Sequence, residues 1–243
     1  MPCDGILWRV MRPRVLIVVK RSSMQQLVTL SWFRAMAAMT RLLIWINKYA
    51  RMRPRFLPMD LKEAIYTRRA VRAFTAEAVD DKTLRGLIDA AIQAPSAVNA
   101  QPWAFCVVRD KARLADISRR AKAHTLATTP AGLLSHHFET TLNDAQFNIF
   151  YDAPALIVIC SRSDNAWAVA TYTLAAQPLL LAERAAGLGT CWIGFAQGWL
   201  RTDEGRALLR LPERWLPVAP IIVGHPKALP APVPRKEPEI HWV

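Results

Sequence analysis

The stretch APSAVNAQPW, Ala94 to Trp103, decides how this chain is read. On its N-terminal side, residues 80–94 carry Leu84, Leu87, Ile88, Ala91 and Ile92 at helical spacing, which predicts an amphipathic helix. On its C-terminal side, FCVV at 105–108 is β-branched and aromatic, which predicts a buried strand. The connection holds two prolines. Pro95 and Pro102 fix φ and remove two backbone donors, so the loop is stiff and presents Ser96, Asn99 and Gln101 in a set geometry. Side-chain amides both donate and accept hydrogen bonds, which suits the carbonyl and ring-nitrogen edge of a flat heterocycle. An ordinary capped helix–strand connection uses the same residues, so the loop alone does not choose.

Working outward, the pattern from Met59 predicts one compact domain. A short helix is expected over 60–68 and a basic amphipathic helix over 111–124. A breaker is expected over 125–130, and helical structure over 136–150. ALIVIC at 155–160 offers no polar face and predicts a central strand. Residues 166–187 predict a core helix kinked at Pro178. A glycine-bounded strand or loop follows over 189–195, and PIIVG at 220–224 predicts the last strand. The proline-rich tail, 229–243, cannot build a core, and its Ile240 and Trp242 predict docking on another surface. Helices and strands in this alternation predict an α/β or α+β sandwich.

The net charge of +13 suggests a nucleic-acid or anionic-membrane partner, until it is divided by segment. Residues 1–58 hold eleven Lys and Arg against the single acid Asp4, whereas 59–243 hold 21 basic and 18 acidic residues. The excess belongs to the first segment, and the remainder is close to neutral. That segment fits neither a secretory signal nor a membrane span, since arginines interrupt 6–19 and its longest uncharged run is too short. A weak basic surface helix over 27–46 is one reading of it. The expectation is that 1–58 form a basic extension, disordered or lying upstream of a true start at Met59. Four cysteines without CxxC spacing and five histidines without HExxH predict no metal site. No GxGxxG, P-loop or Gly-x-Ser-x-Gly motif is present.

Three more pieces join the loop. RRAVR at 68–72 concentrates three guanidiniums, whose planar forks match phosphate oxygens, although a solvated basic turn reads the same way. Pro234-Arg235-Lys236 offers a second anion clamp, weak on its own. GLGTCWIG at 187–194 lets backbone approach a ligand closely, or simply makes a tight helix–strand turn.

Taken in order, RRAVRAF (68–74), APSAVNAQPW (94–103), GLGTCWIGF (187–195) and VGHPKALPAPVPRK (223–236) resemble the FMN-dependent nitroreductase family across 59–243. The resemblance implies an α+β three-layer sandwich, with a central, mostly antiparallel mixed sheet flanked by helices. It implies a cytoplasmic homodimer with FMN at the subunit interface, reduced by NADH or NADPH and reoxidised by a small electron-poor acceptor. Arg68, Arg69 and Arg72 would hold the FMN phosphate and ribityl end, with Arg235 and Lys236 closing on the phosphate. Pro95, Ser96, Ala97, Asn99 and Gln101 would contact the flavin held mainly by the partner subunit. Trp192, Ile193 and Gly194 would lie along the isoalloxazine. Two positions depart from the family pattern. Ala70 stands where serine is frequent, and Ile193 stands where some members carry an acid, which leaves the N5 contact to main chain. The cofactor carries the hydride chemistry, so no catalytic side chain is nominated. Alternatives are a relative running another flavin reaction, such as unsaturated-bond reduction, and a flavin-binding regulator with a basic nucleic-acid-binding arm.

Overall fold

The computed structural model describes residues 9–11, 14–16, 39–40, 59–130, 132–163 and 168–243. Contacts divide the chain into two compact units, Met1–Arg53 and Pro54–Val243. In the first, β1 (Arg9–Met11) pairs antiparallel with β2 (Arg14–Leu16), and Met39 and Thr40 are helical. Apart from those two positions, the surface helix expected over 27–46 lies outside the described residues.

The second unit is built on four strands: β3 (Trp103–Val108), β4 (Ala155–Ser161), β5 (Gly189–Trp192) and β6 (Leu216–Gly224). Their order across the sheet is β3-β4-β6-β5, and every neighbouring pair is antiparallel. A parallel bridge between Ala70 and Thr190 extends the sheet beyond β5 and makes it mixed.

All seven residues of β4 are buried, and the pleat divides them. Leu156, Val158 and Cys160 enter one apolar cluster, while Ala155, Ile157 and Ile159 enter the other. The first cluster packs under α3 (Lys111–Thr128), α6 (Gly194–Leu200) and α7 (Asp203–Leu208), with α4 (His136–Asn143) beside α3. The second packs under α2 (Asp81–Ala91) and α5 (Ala168–Ala185), and α1 (Leu61–Thr67) lies against α5. Helices on both faces of one sheet make three layers. The expected α+β sandwich is therefore the observed one.

Several element boundaries differ from the sequence reading. Helix α2 stops at Ala91, and its start is fixed by the Asp80 carboxylate accepting from the Thr83 amide (2.8 Å). Helix α3 runs through the expected breaker to Thr128, because Thr125–Thr128 contains no Pro or Gly to stop it. The helix expected over 136–150 ends at Asn143. Its C-cap, Asp144, is extended (ψ 117°) rather than helical, and turns follow. Helix α5 runs continuously through Pro178, as one helix from Ala168 to Ala185. Strand β6 begins at Leu216 and carries Pro217 and Pro220 inside it. Strand β3 begins at Trp103, and the segment expected as strand or loop to 195 turns helical at Gly194. Among the described residues, no helix is long and apolar enough to cross a membrane.

Candidate functional site

The arginine segment is stitched to β5 by backbone. The Val71 amide donates to the Thr190 carbonyl (2.9 Å), beside the Ala70–Thr190 bridge. The approach is close because residue 189 is glycine: a Cβ there would stand 2.6 Å from Val71 Cγ2. Arg68 closes α1 and is half-buried, and its guanidinium has no hydrogen-bond or ion-pair partner among the described residues. Arg69 is tied down by its own backbone, with Nη1 donating to the carbonyls of Tyr66 and Arg68 (both 2.8 Å), yet its buried Nε has no partner. Arg72 is exposed and lies over the Tyr151 ring at 6.0 Å.

Two residues past Thr190, the strand reaches Trp192, half-buried, and then Ile193, buried. The Ile193 amide is committed to the Pro220 carbonyl (2.8 Å), so it is not free for a ligand. Gly194 opens α6, its N–H has no intrahelical acceptor, and a Cβ there would meet nothing within 4 Å. The main-chain amides left open at this point are those of Gly194 and Phe195, the first two of the helix. Phe195 stands edge-on to Phe138 of α4, their ring centroids 5.6 Å apart.

The loop quoted at the outset is braced from within. The Ser96 hydroxyl accepts from the Gln101 amide (3.0 Å), and the Gln101 side chain donates to Asn99 Oδ1 (3.0 Å). The Pro102 carbonyl accepts from the Arg162 amide (2.8 Å) and the Tyr172 hydroxyl (3.3 Å), which anchors the loop to the sheet end. Val98, Asn99 and Gln101 all adopt positive φ (46°, 55° and 47°), which is unfavourable above all for β-branched Val98. Val98 is 98% exposed, and Pro95, Ala97, Asn99 and Gln101 are exposed too. A strained loop held open by its own hydrogen bonds presents its amides outward.

Within one chain these pieces do not all meet. The loop leads into β3 at one sheet edge, whereas Trp192 and the arginines adjoin β5 at the other. Three strand spacings separate the edges, roughly 14 Å. Arg235 and Lys236 are exposed in a tail without secondary structure.

Sequence reasoning missed Glu183 and Thr190. Both are buried, and Glu183 Oε2 and Thr190 Oγ1 have no hydrogen-bond partner. Burial pushes the Glu183 carboxyl up to about 8, against the opposing pull of Thr190, Arg68 and Arg184. A charged pair, Glu183-Arg184, in an otherwise apolar helix was the available signal. The cysteines carry no comparable chemistry: Cys106, Cys160 and Cys191 are free thiols, and burial pushes all three up, Cys160 to about 12.

The arrangement offers guanidiniums for a phosphate, an open glycine amide beside a half-buried tryptophan and, at the opposite sheet edge, a rigid, exposed loop of amides. Partnerless Arg68, the orphaned Arg69 Nε and the open Gly194 suit FMN in charge and shape. Comparison with known proteins bears on this. The nitroreductase family description matches residues 65–225. A protein of Methanothermobacter thermautotrophicus, named as an NADH dehydrogenase/NAD(P)H nitroreductase, is 32% identical over 177 residues, covering 71% of this chain and 80% of its own. An NAD(P)H FMN reductase of Bacillus subtilis is 30% identical over 185 residues, covering 72% and 70%. In structure, an FMN-bound nitroreductase from Bacteroides fragilis superposes with a TM-score of 0.67 at 24% identity, covering 76% of this chain and all of that one. The chain belongs to the nitroreductase family.

Proposed function

We propose that residues 59–243 form an FMN-dependent NAD(P)H oxidoreductase that acts as a homodimer and reduces nitroaromatic, quinone or similarly electron-poor small molecules. Membership of the nitroreductase family makes the chain an oxidoreductase of the kind that uses FMN and NAD(P)H. The observation that carries the finer reading is the backbone junction at Val71 and Thr190, which brings the arginine segment beside the strand leading into Trp192 and Gly194.

In this reading Arg68, Arg69 and Arg72 hold the phosphate and ribityl end, and Arg235 and Lys236 close on the phosphate from the tail. Trp192 and Ile193 line the ring, and the Gly194 amide donates at its redox-active edge. Asn99 and Gln101 of the partner's loop, set by Pro95, Ser96 and Ala97, complete the hydrogen bonds to the ring. When bound, FMN supplies hydride chemistry, and one space receives NAD(P)H and then the acceptor in a ping-pong cycle. Phe138 and Phe195 give that space an apolar wall, which excludes water and favours flat aromatic acceptors.

Purified protein is expected to be yellow, with about one FMN per chain, and to bleach anaerobically on adding NADH or NADPH. Bleached protein should recover its colour on adding a nitroaromatic or a quinone. A colourless protein that cannot be reconstituted with FMN rules the reading out.

A further inference from the structure

We propose that Glu183 is a positioning residue for the phosphate end of the site: its uncharged acid form leaves Arg68 free to take the phosphate, and its ionised form competes for that arginine. The inference rests on the placement of Arg68 at the FMN phosphate.

Glu183 is 1% exposed and sits near the end of α5, where its carbonyl accepts from Leu188 (2.9 Å) and fixes the turn into β5. Its side chain faces the junction of α1 and β5. Thr190, which favours the ionised carboxyl, is the same residue whose carbonyl binds Val71 and so anchors the arginine segment. Glu183 Oε2 and Thr190 Oγ1 are both buried and make no well-formed hydrogen bond, although the Thr190 hydroxyl stands close enough to the carboxyl to favour its charged form.

The groups facing this carboxyl can be named from each packed element. From α1, Arg68 acts on it through space, short of an ion pair; from its own helix, Arg184 acts in the same sense. Arg184 Nε is already engaged by Thr67 Oγ1 (2.9 Å), and Arg69 by the carbonyls of Tyr66 and Arg68. From β5, Cys191 lies within the influence of Arg68 and Arg72, and burial holds its thiol protonated. Arg68 is thus the cation with no other commitment. A neutral Glu183 leaves its charge for a bound anion. An ionised Glu183, buried beside it, draws the guanidinium inward and cancels part of the field a phosphate would feel. Linkage makes the effect reciprocal, so a bound phosphate strengthens the hold of Glu183 on its proton. Burial places this ionisation near pH 8, within the range where the folded protein can be studied.

The test is equilibrium binding of FMN and of riboflavin to the full-length chain, followed by flavin fluorescence between pH 7 and 9.5. A phosphomonoester is already dianionic over this range, so its own titration does not interfere. FMN affinity of the wild type should fall about tenfold across it, while riboflavin, which lacks the phosphate, should show no step. Glu183→Gln should bind FMN at every pH as tightly as wild type does at pH 7. Thr190→Val, which removes a group favouring the charged carboxyl, should move the step to higher pH. Cys191→Ala should keep the step, separating the carboxyl from the nearby thiol. A wild type that binds FMN with no step overturns the inference, as does a step that persists in Glu183→Gln or appears equally with riboflavin. No FMN binding at any pH overturns the placement of the site itself.

Discussion

Glu183 also makes a statement about stability. Its carboxyl titrates near pH 8 in the fold, whereas an unfolded glutamate titrates near its ordinary 4.5, so the native state holds an extra proton between those values. The sign follows. Glu183's contribution to stability is fully present below about pH 4.5, declines as pH rises, and is exhausted above about pH 8. The total is on the order of a few kcal/mol. Asp80 and Asp116 act in the opposite sense, since Thr83 and the Arg120 and Arg119 guanidiniums hold them below the usual carboxylate range, but their effect is confined to acid pH. Thermal unfolding of wild type between about pH 5.5 and 9 should therefore show a downward slope that Glu183→Gln flattens. An equal slope in both proteins would mean that Glu183 ionises freely in the fold.

At the scale of elements, the junction between β5 and the arginine segment depends on the missing side chain of Gly189. An added Cβ would meet all three side-chain carbons of Val71, the farthest at 2.9 Å. Gly189→Ala should cost about 1–3 kcal/mol in denaturant unfolding and weaken FMN binding by displacing residues 68–72. Val71→Ala in the same chain should restore part of both. Failure of the second change to rescue the first would show that the two residues do not determine this approach. The sequence carried this element only in part. ALIVIC, the helix before the loop and the loop's two prolines were legible, because apolar runs and proline geometry act locally. PIIVG was legible as the last strand, but the first half of that strand, through Pro217, was not, since proline argues against a central strand and only the buried register with β4 overrides it. Helices α6 and α7 were hidden for a related reason: GFAQGWL and DEGRAL are short and glycine-bearing, and they are stabilised by packing on α3 and by the Thr202 cap rather than by propensity. In the site, the arginine and glycine motifs could be read one by one. Their contact across the Ala70–Thr190 bridge, and the inward-facing Glu183, are products of tertiary structure.

At the scale of the molecule, the sheet keeps the two halves of the proposed site apart, with the arginines at one edge and the amide loop at the other. Each half can be disabled without touching the other. Arg68→Ala with Arg72→Ala removes the phosphate cations, and Asn99→Ala with Gln101→Ala removes the loop's amides. Either double variant alone should bind FMN at least tenfold more weakly. Unfolded together and refolded as a mixture, half the dimers would pair one chain of each kind. Such a dimer carries one site with both defects and one with neither. The mixture should therefore recover about a quarter of the wild-type flavin content from two weakly binding parents, the arithmetic of two independent sites per dimer. Flavin absorbance after gel filtration measures it directly, and a mixture no better than its parents would mean that each chain completes its own site. In the proposed homodimer, the wide separation of β3 from β5 would become a genetic property, in which two defective alleles of one gene compensate each other.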